Sequence, residues 1–153
     1  MSALEKYQKI GIVFRRPGQD QVELPEDITT LSSEQLAEVF TALTAWADYL
    51  ASQKVMAELE ERASLRALDL EEAKMLITRM GASAKGERVT TVKAEISVDP
   101  KILELSQDHE DKYAYRKLVD MLLTNHERDI ALVSREITRR TNDQRAHRKD
   151  YGV

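Results

Sequence analysis

Three histidines, His109, His126 and His147, are the residues of this 153-residue chain best suited to move protons or hold a metal. They stand 17 and 21 residues apart, so no two occupy neighbouring turns of one helix, where a pair of metal ligands would stand. The run Asp108-His109-Glu110-Asp111 can attract a divalent cation, but it reads better as a solvated acidic face near a helix N-terminus, where the dipole favours negative charge. With no cysteine, disulfides and thiolate-bound zinc are excluded. No glycine-rich loop ends in Lys-Ser or Lys-Thr, so nucleotide hydrolysis has no support. No serine or threonine falls in a nucleophile motif with a nearby base. These absences point away from an enzyme and from any cofactor.

Charge is the more informative chemistry. The chain carries a net charge of −4, and its distribution is uneven. Residues 33–80 hold 5 Lys/Arg against 9 Asp/Glu, whereas residues 135–149 hold 6 against 2. At about 100° per residue, Lys117, Arg128, Arg135 and Arg139 fall within a sector of roughly 40° on one helix face. Tyr115, Leu122, His126, Val133 and Ile137 occupy the opposite side, so the apolar face can pack while the cations look outward. Such a stripe can follow a phosphate backbone and gain affinity by releasing counterions. The competing reading is an ordinary solvated face, because Asp120 and Glu127 flank the stripe and Glu110 lies on it. Arg140 and Arg145, with Arg148 and Lys149 beyond, extend the positive end. Lys54, Arg62 and Arg66 form a second patch among Glu58, Glu60 and Glu61. Arg15-Arg16 can touch a phosphate or flank a solvated turn. Trp46 can stack on a base or anchor the core, and the core is favoured by its place on an apolar stripe.

The elements that must carry these residues are long helices. Only five glycines and three prolines are available for turns, and charged residues make up 33% against 5% aromatic, which favours narrow apolar seams. Residues 1–31 read as an irregular arm with one short strand at Ile10–Phe14, followed by a turn at Arg15-Arg16-Pro17-Gly18. A single helical domain is expected over 32–153. Ser32 and Gln35 form a capping box, with Leu31 and Leu36 as the staple. A helix over about 33–80 follows, its stripe running through Leu36, Val39/Phe40, Leu43, Trp46/Ala47 and Leu50. The stripe weakens at Gln53/Lys54, resumes at Met56, Leu59 and Ala63, then at Ala73, Leu76/Ile77 and Met80, and Gly81 supplies the stop. Over about 88–98 the alternation of Val92, Ala94, Ile96 and Val98 with polar residues has the period of a strand, or of a plain extended linker. Asp99-Pro100 restarts a helix over about 100–140 with the seam Tyr115, Leu118/Val119, Leu122, His126, Ile130, Val133 and Ile137. A basic tail covers 141–153. His126 in that seam is a pH-sensitive contact or, better, a register-setting polar residue. The expected fold is mainly α: two long helices forming a helical hairpin or coiled coil, with short extended or β segments between them and at the N-terminus.

No stretch approaches 18 uninterrupted apolar residues, and Met1-Ser2-Ala3-Leu4-Glu5-Lys6 lacks a secretory pattern. A soluble protein of a reducing cytoplasm, with no membrane partner, is expected.

The second half of the chain resembles the phage recombination mediators of the UvsY type. The resemblance rests on Lys112-Tyr113-Ala114-Tyr115-Arg116-Lys117-Leu118-Val119-Asp120-Met121-Leu122-Leu123, then Ile130-Ala131-Leu132-Val133-Ser134-Arg135-Glu136-Ile137-Thr138-Arg139-Arg140, and on the segment Lys93–Val98 before them. It covers about a third of the chain. It implies a homo-oligomer in a bacterial host cytoplasm that binds single-stranded DNA and helps load a recombinase onto DNA covered by a single-strand-binding protein. The first helix departs from the pattern in having few basic residues. The alternative is a phage scaffold or adaptor whose helices bind only other protein chains.

Overall fold

The long helices begin where local chemistry starts them. In the computed structural model, which describes Glu5, Lys9, 15–18, 20–82 and 88–150 (side chains to Arg148), the main elements are α1 (Ser33–Ala82), α2 (Val89–Ser97) and α3 (Pro100–Asp150). The Ser32 hydroxyl accepts the Gln35 N–H at 3.1 Å, and the Gln35 side chain accepts the Ser32 N–H at 2.8 Å, so two donors at the start of α1 are satisfied reciprocally. At the start of α3 the Asp99 carboxylate accepts the Lys101 N–H at 3.0 Å, with Pro100 in the first helical position. Upstream of α1, Asp27 caps a single 3-10 turn, Ile28–Thr30, by accepting the Thr29 N–H.

The protein is mainly helical, and α1 packs against α3 of the same chain as in a helical hairpin. The chain forms two compact units, Met1–Gln53 with Asp120–Val153, and Lys54–Val119.

In the first unit Leu36, Leu43 and Val133 are fully buried, with Leu31, Val39, Phe40, Ile130 and Ile137 around them. Val22 and Leu24 of the arm pack on the same cluster. Burying each such leucine contributes about 1.5–3 kcal/mol, so this seam alone can hold the helix pair together. His126 is also buried there. Its Nδ1 lies 2.9 Å from the Leu122 carbonyl, which suits an Nδ1–H donor, and its Nε2 is buried with no hydrogen-bond partner.

The second unit is built differently. Where α1 faces α3 the contacts are polar: Ser64 Oγ lies 3.2 Å from His109 Nδ1, Glu61 pairs with Arg116, and Glu71 accepts from Lys101 at 2.7 Å. A hydrogen bond of this kind contributes only about 0.5–1.5 kcal/mol net, so apolar packing must come from elsewhere. It comes from α2 and the start of α3: Val92 and Ile96 of α2 and Ile102 of α3 are buried against Leu68, Met75, Leu76 and Met80. Arg79 reaches Glu95 at 3.4 Å and Asp99 at 3.1 Å, tying the end of α1 to α2 and to the cap of α3.

Several expectations are corrected. The segment expected to be extended over 88–98 is helical from Val89 to Ser97, because Val92 and Ile96, four residues apart, dock on α1, while Val98 stays 68% exposed. Gly81 lies within α1 rather than stopping it, and α3 continues to Asp150 through most of the expected tail. Tyr115 and Leu118, placed in the α3 seam, are exposed; Val119, placed there too, is buried, and so is Leu123, which was not. On α1 the stripe through Ala63, Ala73 and Ile77 faces outward, since the position facing α3 is taken by Ala57, Glu61, Ser64 and Leu68. The strand expected at Ile10–Phe14 lies outside the described residues.

Candidate nucleic-acid interface

In the second unit, α3 places Tyr113, Arg116 and Lys117 on adjacent turns. The Tyr113 ring is 45% exposed, with Lys117 Nζ 5.6 Å and Arg116 Cζ 5.2 Å from its centroid. The two cations are not equivalent. Arg116 is half-buried and donates to Glu61, whose hydrogen bond holds the guanidinium firmly charged and occupied. Lys117 is exposed and forms no ion pair among the described residues. An exposed ammonium beside a half-exposed ring can meet a phosphate while the uncovered part of the ring meets an adjoining base. Tyr113 was not singled out from sequence, although its spacing of three and four residues to Arg116 and Lys117 was a readable signal.

Arg62 and Arg66 are exposed on α1 of the same unit. Arg62 lines a cleft with Glu58, Glu61 and Arg116, so two carboxylates weaken its pull on a phosphate. Lys54 is half-buried. The expected second patch is therefore mixed in charge.

In the first unit Arg128 and Arg135 stand exposed on α3, seven residues apart, with no ion pair among the described residues. Seven residues are two turns, or about 10.5 Å along the helix axis. Leu132, 45% exposed, lies between them on the same face. Arg145 is exposed nearby in sequence and likewise unpaired among the described residues.

Arg139, expected in the same stripe, and Arg140, expected to extend its positive end, are engaged. Arg139 donates to both Glu136 oxygens, at 2.9 and 2.8 Å, and to Asp143 at 2.8 Å. Arg140 donates to Glu136 at 2.7 Å and to the Thr29 carbonyl at 3.1 Å, fastening α3 to the segment before α1. Glu136 itself is only 6% exposed, and its carboxyl is lowered to about 2 by hydrogen bonds from Arg139, then Arg140. These two arginines hold the fold, and of the expected stripe Arg128 and Arg135 are left open in this unit, as Lys117 is in the second.

Trp46 is not available to a base. It is 3% exposed, its Nε1 donates to the Asp20 carbonyl at 3.3 Å, and its ring meets Tyr49 edge-on with centroids 5.8 Å apart. Arg16, from the turn before it, covers the ring at 5.4 Å. The acidic run around His109 is likewise spent locally: Asp108 pairs with Lys112 at 2.9 Å and Asp111 accepts from Gln107 at 2.9 Å. Among the described residues no three metal-ligating side chains gather, and no helix is long and apolar enough to cross a membrane.

Set against known proteins, the chain matches no family model, no curated protein and no solved structure.

Proposed function

We propose that this chain is a non-enzymatic, oligomeric helical protein that binds single-stranded DNA, in the manner of the recombination mediators its second half resembles. In that role it would help load a recombinase onto DNA covered by a single-strand-binding protein. The observation that carries the reading is that α3 exposes cations with no ion pair among the described residues in each unit, Arg128 and Arg135 in the first and Lys117, beside the half-exposed Tyr113 ring, in the second. Single strands suit this surface better than duplex, because a base free of its stack can lie on Tyr113. Each phosphate contact is weak, and the affinity comes from several engaged at once.

The test is fluorescence anisotropy of a labelled single-stranded oligonucleotide at about 50 and 200 mM salt, the range over which multi-phosphate contacts change affinity steeply. The wild-type chain is expected to bind at low salt and to weaken strongly at high salt, with duplex bound less well. Replacing Arg128 and Arg135 together by alanine should flatten the log–log salt slope by about 1.4, two phosphate contacts at about 0.7 each, with unchanged helicity. A well-folded double variant that binds like wild type would remove these residues from the site.

The second reading, a scaffold or adaptor that binds only protein, is favoured by Leu70 and Ile77, which are 54% and 74% exposed on α1. Absence of any nucleic-acid binding at micromolar protein would leave that reading standing.

A further inference from the structure

The outward face of α1 in the second unit carries a seven-residue repeat whose middle, from Ala63 to Ile77, the fold leaves exposed, while Met80 at its end packs against α2. One repeat position is Met56, Ala63, Leu70 and Ile77; the other is Leu59, Arg66, Ala73 and Met80. Seven of these eight side chains are apolar, a better coiled-coil seam than the one α1 turns toward α3, where Glu61, Ser64 and Glu71 stand. Yet Ala63, Arg66, Leu70, Ala73 and Ile77 are all exposed. Spanning 25 residues, the seam is roughly 36 Å long at 1.5 Å per residue. An isolated apolar side chain on a surface needs no explanation, but a repeat sustained over more than three heptads does.

We infer that this face is the contact with a second copy of the chain, the two α1 helices running antiparallel. Charge selects both the occupant and the direction. Place Leu59 opposite Ile77 of the second copy and Ala63 opposite Ala73. The flanking Glu60 then falls beside Lys74 of the other helix, and by symmetry this pair occurs twice. Both side chains are exposed; among the described residues Lys74 has only the 3.8 Å contact to Glu71, and Glu60 has no ion pair. Arg66, the single polar seam residue, faces Leu70 of the second copy and stands near Asp69. The centre of the contact thus gathers two arginines and two aspartates with no net charge. A parallel pairing would instead stack Arg66 directly on Arg66, a like-charge layer in the middle of an apolar seam. This inference is independent of DNA binding and survives its failure.

The experiment uses the full chain. Light scattering after size exclusion should give at least twice the 17.5 kDa of the single chain. Leu70→Glu with Ile77→Glu, both at exposed positions, should lower that mass without loss of helicity. Glu60→Lys and Lys74→Glu should each weaken association by roughly tenfold, since two attractive pairs become repulsive, and their combination should restore it. Because the chain contains no cysteine, direction can be read by oxidation. Proteins carrying Ala63→Cys and Ala73→Cys should cross-link when mixed and not when oxidised separately. A monomeric wild type, a mass unmoved by the Leu70 and Ile77 changes, or cross-linking of Ala63→Cys to itself would each overturn the proposal.

Discussion

Glu136 shows how one buried carboxylate can organise its surroundings while withdrawing cations from the surface. Its two oxygens accept three guanidinium hydrogen bonds, and through Arg140 they connect α3 to the Thr29 carbonyl ahead of α1. The ionised form is the one stabilised, so the folded carboxyl is lowered from the usual 4.5 to about 2. A lowered folded value means the contribution is fully present above the unfolded value and is lost as pH falls through the folded one. Thermal midpoints of wild type and Glu136→Gln should therefore differ most near neutral pH, with the wild type higher. The gap should narrow as pH falls from about 4.5 toward 2, by this linkage. A gap that stays constant over that range would show that the carboxylate charge is not what binds Arg139 and Arg140. From sequence, Arg139 looked like a member of an outward stripe and Arg140 like the start of the basic end beyond it. Spacing does set Glu136 three and four residues back from them; it does not reveal that this acid is buried and takes both.

At the scale of elements, what was readable followed from how local the deciding forces are. Both long-helix starts were legible because Ser32 with Gln35, and Asp99 with Pro100, satisfy backbone donors within a few residues. The mainly helical fold was legible from periodicity for the same reason. Residues 89–97 were not, since Val92, Ala94, Ile96 and Val98 alternate as a strand would, yet Val92 and Ile96 are also one helical turn apart. Docking on Leu68, Met75, Leu76 and Met80 decides between the two periods, and that surface exists only once α1 has folded. A nine-residue helix is far too short to persist alone in water. Ile96→Ala, at a position only 4% exposed, should thus cost about 2–5 kcal/mol by cavity formation. It should also strip amide-exchange protection from α2 well before α1 is affected. Protection that survives the substitution unchanged would mean that α2 is held by something other than this dock.

For the molecule as a whole, the two proposals make a joint claim that neither makes alone. A net charge of −4 repels nucleic acid at long range, and few open cations remain on α3 to counter it. Among the described residues of α3 the exposed cations without an ion pair are few, Lys117 in one unit and Arg128, Arg135, Arg145 and Arg148 in the other, so binding by a single chain should be weak. Two copies joined through α1 present the stripe twice, and a strand long enough to reach both binds the second at high effective concentration. Such linkage can raise affinity by about 10²–10⁴-fold without any new contact. The wild-type chain should accordingly prefer long single-stranded oligonucleotides to short ones by at least about tenfold. Leu70→Glu with Ile77→Glu, which leaves every cation of α3 in place, should bind the short strand as wild type does and lose the preference for the long one. Anisotropy titrations of the two strands against the two proteins measure all four affinities. Equal loss on both strands would mean that the changed α1 face itself touches DNA. A length preference retained by the variant would mean that the copies are brought together on DNA by another surface.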